Sequence, residues 1–188
     1  DYVNISGFYL YNDTGYGPCG GISINHSDYC NISGNVIDGD YDGIYLNGSY
    51  YNTIYNNYIY NHFVGIWMVG SGHNIIQANN ITNNYEGFIY EPEEYTYNPD
   101  SWNVIKHNNI SHNWEWGLIM GGTDNETIQY NPFYHNGHSD VGGAIHFENV
   151  TDSLIADCVL SNNTVGILLD NSVSMTVSGC HIFNSSEP

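Results

Sequence analysis

Gly43-Ile44-Tyr45-Leu46, followed by Asn52-Thr53-Ile54-Tyr55-Asn56-Asn57-Tyr58-Ile59, decides the fold because it returns. Twenty-two residues later it reads Gly65-Ile66-Trp67-Met68, followed by Asn74-Ile75-Ile76-Gln77-Ala78-Asn79-Asn80-Ile81. Working outward, equivalent starts fall at Gly21, Gly87, Gly117, Ala144 and Gly166, so the spacings along the chain are 22, 22, 22, 30, 27 and 22. A fixed internal period of this length marks a repeat architecture. Aligned on these starts, three columns stay apolar. The first is Ile22, Ile44, Ile66, Phe88, Leu118, Ile145 and Ile167. The second is Ile32, Ile54, Ile76, Ile105, Ile128, Ile155 and Val177, and the third Ile37, Ile59, Ile81, Ile110, Phe133, Leu160 and Ile182. Each repeat thus holds three short apolar segments punctuated by Gly and Asn, which are too short for helices and suit strands.

Coils of three strands stacked about 4.8 Å apart place equivalent positions above one another, so the interior becomes columns of Ile that no single coil could bury alone. The expected class is all-β, a parallel β-helix of about 22 residues per coil and 7–8 coils. The chain reads as one domain over residues 1–188 with insertions at 11–19, 91–102 and 135–143, either part of a longer β-helix or a subunit that stacks end to end. Asn35, Asn57, Asn79, Asn108 and Asn131 share one column and are expected to form a ladder of stacked amides. Asn61, Asn83, His112, His135, Asn162 and Asn184 form a second polar column, either another ladder or residues tolerating a left-handed turn. Cys158 and Cys180 continue the first column one coil apart, within disulfide range or as two buried thiols; Cys19 and Cys30 are a second candidate pair.

Composition removes several function classes. Lys106 is the one basic residue against 20 Asp and Glu, for a net charge of −19. Phosphate neutralisation needs Lys and Arg, so nucleic-acid binding is excluded, and no stretch is long and apolar enough for direct membrane insertion. Eleven N-x-S/T sequons begin at Asn4, Asn12, Asn25, Asn31, Asn47, Asn80, Asn109, Asn125, Asn149, Asn162 and Asn184. They are candidates for N-linked glycans and favour an exported glycoprotein.

The repeated Gly-Ile-x-Leu and Asn-x-Ile-x-x-Asn-x-Ile text resembles the right-handed parallel β-helix repeat family of the CASH (carbohydrate-binding and sugar hydrolase) type, over nearly the whole chain. The resemblance implies a right-handed, single-stranded β-helix. It leaves activity open, since members include polysaccharide lyases, hydrolases, copper-insertion proteins and surface proteins. The scarcity of Lys and Arg beside abundant Asn, Tyr and Gly is most similar to cell-surface and sheath proteins of methanogenic archaea.

Two functions follow as expectations. The first is an extracellular cell-surface protein that self-assembles into a sheath, S-layer or filament, with itself as partner and cell-surface glycans as possible others. Its contact surface would be the outward apolar ridge Tyr45, Trp67, Ile89, Ile119 and Leu168. The second is a carbohydrate-active β-helix, a hydrolase, lyase or glycan-binding module. Asp38, Asp40 and Asp42 alternate around Gly39 and form a weak candidate Ca²⁺ site, equally readable as an acidic turn. No cofactor is required by either reading, and no catalytic residue is assigned from sequence.

Overall fold

The computed structural model describes residues 2–11, 20–39, 41–93, 101–138 and 142–185. The insertions lie largely outside them, as do Asn12, Cys19 and Asp40. Every strand pairing is parallel, and three sheets run the length of the molecule. Two contain eight three-residue strands each, including Thr53–Tyr55 in one and Tyr58–Tyr60 in the other. The third contains seven six-residue strands, from Gly20–Asn25 through Asp42–Asn47, Val64–Val69, Glu86–Glu91, Trp116–Gly121 and Gly143–Glu148 to Val165–Asp170. The chain is a right-handed parallel β-helix, and its coils align as the repeat predicts. Ile44 pairs with Ile22 and Ile66, Ile54 with Ile32 and Ile76, and Ile59 with Ile37 and Ile81. Ile44, Ile54, Ile59, Ile66, Ile76 and Ile81 are all fully buried in one continuous core.

The glycine second in most of the long strands has a steric cause. A Cβ on Gly65 would lie 2.5 Å from the Gly87 carbonyl oxygen and 2.8 Å from Cγ2 of Ile81. The coils therefore approach too closely at Gly65 for a side chain, although the column admits the small Ala144 farther along.

The Asn ladder forms as expected. The side-chain oxygen of Asn79 accepts from both the backbone N–H (2.9 Å) and the Nδ2 (3.0 Å) of Asn57, while Asn79 Nδ2 donates to the Ile54 carbonyl at 2.9 Å. The same unit joins Asn35 to Asn57, Asn79 to Asn108, and Asn108 to Asn131. The second polar column behaves differently. Asn61, Asn83, His112, His135, Asn162 and Asn184 all have φ between 55° and 64° or just below, and they form left-handed corners. The hydrogen-bonded ladder runs one residue later, through His62, Asn84, Asn113, Asn136 and Asn163. A third ladder, invisible to the apolar alignment, links Asn52, Asn74, Asn103 and Glu126.

Cys158 and Cys180 are not bonded to each other. They take ladder positions, with thiols directed at carbonyls: Cys158 Sγ to Ala156 O at 3.3 Å and Cys180 Sγ to Ser178 O at 3.6 Å. Stacking points equivalent Cβ atoms in the same direction, whereas a disulfide needs them to converge. The Cys19–Cys30 pairing falls outside the described residues.

Candidate functional site

The outer side of the long-strand sheet departs most from a purely structural surface. One column on it is the expected ridge. Tyr45, Trp67, Ile89 and Ile119 are half-buried, His146 interrupts the run, and only Leu168, 40% exposed, stands open. The residue before each corner glycine supplies a second column: Asp42, Val64, Glu86 and Trp116, all buried. The two columns meet. The Trp116 and His146 rings lie 5.0 Å apart, the Tyr45 and Trp67 rings pack edge-on at 5.5 Å, and burial, followed by the Asp42 and Glu91 charges, raises the Tyr45 pKa.

Two carboxyls are thus buried in this second column. Asp42 is 0% exposed, neither of its oxygens has a hydrogen-bond partner, and burial pushes its pKa up to about 7. Glu86, 6% exposed, is pushed up to about 8 by burial and by the neighbouring Glu115; the Trp116 N–H, donating at 2.8 Å to its Oε2, acts the other way. Glu115 in turn accepts from the exposed Tyr85 hydroxyl, so a chain of proton-bearing groups runs from the surface to Glu86. Trp67 Nε1 and His146 Nε2 are also buried without partners. Buried polar atoms are ordinarily hydrogen-bonded, so four unpaired ones spread over one face make it a candidate for ligand contact.

Register fixes the spacing. Asp42 pairs with Val64, and Val64 with Glu86, so two coil steps of about 4.8 Å put their backbones roughly 10 Å apart. Water-mediated hydrolysis of a glycosidic bond uses two carboxyls about 6.5–9.5 Å apart, one protonated and one ionised, and the backbone spacing here is of that order.

None of these roles was assigned from sequence. Asp42 was grouped with Asp38 and Asp40, but Asp38 lies in a short-strand sheet and accepts from Asn61 Nδ2 at 2.8 Å, while Asp40 lies outside the described residues. The available signal was an acidic residue beside the recurrent corner glycine, in a column otherwise filled by Gly, Val and Trp. Of the sequon asparagines, Asn4, Asn25, Asn149, Asn162 and Asn184 are exposed, and Asn31, Asn47, Asn80, Asn109 and Asn125 are half-buried.

Comparison with known proteins agrees with this architecture. Residues 4–102 match the family described as periplasmic copper-binding protein (NosD), and residues 94–187 match the right-handed β-helix region family. No curated protein matches the chain by sequence. Similar solved structures include the catalytic domain of a GH87 α-1,3-glucanase in complex with tetrasaccharides, at 17% identity and TM-score 0.59, covering 94% of this chain and 44% of that one. The Azotobacter vinelandii mannuronan C-5 epimerase AlgE6 A-module shares 13% identity at TM-score 0.57, covering 96% and 58%. DFA-IIIase from Arthrobacter chlorophenolicus A6 shares 15% at 0.55, covering 84% and 36%. The chain spans less than two thirds of each, and at these identities the likeness concerns the fold.

Copper would need several nitrogen or sulfur donors converging on one point. In the NosD-matching segment His62 Nε2 is engaged with the Ile37 carbonyl, His73 stacks on Tyr51, and His26 lies against Gly48. Farther along, His112 and His135 stack face to face at 5.1 Å. Among the described residues no three His, Cys, Asp or Glu side chains are grouped to hold a metal ion, so the described residues do not fit copper.

Proposed function

Because the chain belongs to the right-handed parallel β-helix family, we propose that it is a carbohydrate-active β-helix that hydrolyses a neutral polysaccharide on the outer face of its long-strand sheet. The observation that carries this reading is the pair Asp42 and Glu86, buried two coils apart in one column with Val64 and Trp116 and beside the half-buried Tyr45. Glu86, holding its proton at neutral pH, would protonate the glycosidic oxygen as its bond to the anomeric carbon breaks. Asp42, once ionised, would take a proton from the water that forms the new bond to that carbon. Glu115 and Tyr85 give Glu86 a route to recover its proton from solvent.

A neutral substrate is favoured by charge. Abstraction beside a uronate needs a cation to neutralise the carboxylate. Lys106, the one basic residue, is on Val104–Lys106 in a short-strand sheet, between Gln77 and Gln129. The periplasmic description of the matching family supports a location outside the cytoplasm.

Release of reducing ends from neutral glucans and fructans tests the proposal. Turnover on at least one is expected, with loss of at least 100-fold in Asp42→Asn and in Glu86→Gln. Full activity in both variants, or no turnover on any neutral polysaccharide, would overturn it. Self-assembly into a coat is the second reading, favoured by the apolar run Ile89, Ile119 and the open Leu168; regular filaments or sheets in electron micrographs of the purified chain would support it.

A further inference from the structure

A ladder of exposed aromatic rings borders the acidic face and then breaks. Tyr41, Phe63 and Tyr85 stack from coil to coil, with centroids 5.2 and 4.8 Å apart and planes within 18° and 8°. Stacking covers ring faces, so this part of the ladder offers only ring edges to a ligand. Trp114 follows in the same column, since its N–H donates to the Asn84 carbonyl just as the Tyr85 N–H donates to His62. It does not continue the stack. Its indole packs on His138 at 4.4 Å with a tilt of 56°, while the Tyr85 hydroxyl is drawn to Glu115. The parted rings border a hollow of about 350 Å³, also lined by Asn83, Asn84 and His112.

We propose that this hollow is a second sugar subsite, which holds one neutral pyranose ring of the polysaccharide bound on the adjoining face. The inference rests on the hydrolase reading for the identity of its ligand. Three observations select a neutral sugar. Trp114, 50% exposed, gives an aromatic surface for the apolar face of a sugar ring. Exposed Asn83 and His112 set amide and imidazole groups at the rim, suited to hydroxyls. The volume is at the small end of the range of about 300–1,000 Å³ typical of ligand sites, and no Lys or Arg lines the hollow to draw an anionic ligand to a chain of charge −19. The hollow is linked to the acid pair through its lining residue Tyr85, whose hydroxyl donates to Glu115, which in turn neighbours Glu86. A polymer lying across the acidic face would therefore reach the hollow by crossing the edge at Glu115.

The test is NMR titration of the ¹⁵N-labelled chain with cellohexaose, laminarihexaose and an α-1,3-gluco-oligosaccharide. The expected result is that at least one shifts the Trp114 indole and His112 ring signals. Its dissociation constant should rise about 3- to 10-fold in Trp114→Ala, recover in Trp114→Phe, and stay within 2-fold in Lys106→Gln, on a short-strand sheet. Binding that leaves Trp114 and His112 unmoved would overturn the subsite, as would the absence of binding by all three sugars. Turnover lost in Asp42→Asn while Trp114→Ala binds normally would overturn the subsite and leave the hydrolase reading intact. Sugar binding at Trp114 without turnover on any neutral polysaccharide would do the reverse.

Discussion

Glu126 occupies the amide position of an Asn ladder, and replacing it with Gln should make two stability curves cross. Glu126 is 1% exposed and accepts from the Asn103 N–H at 3.0 Å, from Asn103 Nδ2 at 3.1 Å and from the Thr123 hydroxyl at 2.7 Å. Burial outweighs these donors and the pKa is pushed up from 4.5 to about 8. Between those values the folded chain keeps a proton that the unfolded chain releases. The group's contribution is therefore whole below pH 4.5 and is lost as pH rises towards 8, at about 1.4 kcal/mol per pH unit. The accumulated loss is on the order of 3 kcal/mol at pH 7 and 4 kcal/mol at pH 8. Glu126→Gln has no proton to lose, but its NH₂ cannot accept from Asn103 Nδ2 as a carboxyl oxygen does, which costs about 1 kcal/mol at every pH. The variant should be the less stable protein at pH 4 and the more stable at pH 8, there by on the order of 3 kcal/mol. For a chain of 188 residues that corresponds to a rise in Tm of about 6–12 °C. Thermal unfolding followed by circular dichroism at half-unit steps from pH 4 to 9 measures both curves. A difference that stays constant across that range would refute the assignment of a buried, proton-holding Glu126.

Three further outcomes are expected. If Asp42 works ionised and Glu86 protonated, the activity profile is a narrow bell, its acid limb near pH 7 and its alkaline limb near pH 8; a plateau from pH 5 to 9 on a cleaved polysaccharide would exclude the pair. Gly65→Ala drives a Cβ into the Gly87 carbonyl and Ile81, and should cost about 1–3 kcal/mol in denaturant unfolding. Asn79→Ala removes the acceptor of two Asn57 donors and the donor to the Ile54 and Asn108 oxygens, all buried, and should cost about 3–5 kcal/mol in the same measurement.

The register of the fold was legible because its signal is redundant. Ile54 is identified as inward by Ile32 and Ile76 as much as by its own neighbours, and seven coils repeat the statement. Polar positions have less redundancy. Asn61 and His62 adjoin, and sequence alone does not say which turns in and which adopts a left-handed corner; the structure gives the buried ladder to His62 and the positive φ to Asn61. The Asn52 to Glu126 ladder was hidden for another reason. It lies in a turn column whose other occupants are Cys30 and Ser153, so identity varies while the hydrogen-bonding role persists, Cys30 through its N–H to Asn52 and Ser153 through its hydroxyl. The acid pair was hidden because exposure cannot be read from a charged residue. An Asp beside a turn is usually solvated, and Asp42 is buried in a column where it pairs with Val64 and lies near Tyr45.

In a stacked coil, each column holds one environment repeated, so a residue of the wrong chemistry in its column carries more information than any local motif. Asp38, Asp40 and Asp42 look alike in the sequence and drew attention as a group, yet only Asp42 falls where its column neighbours are Gly20 and Val64. A carboxyl there gains nothing structural, since neither oxygen is bonded, and its burial costs stability that a second Val would restore. Glu126 is the control for this reasoning. It too is a buried acid out of keeping with its column, but all its oxygens are taken by Asn103 and Thr123, so the ladder accounts for it fully. The distinction between the two acids gives a direct expectation: Asp42→Val should raise the Tm while abolishing turnover, whereas no apolar replacement of Glu126 should raise it, because Asn103 would be left with buried, unpaired donors.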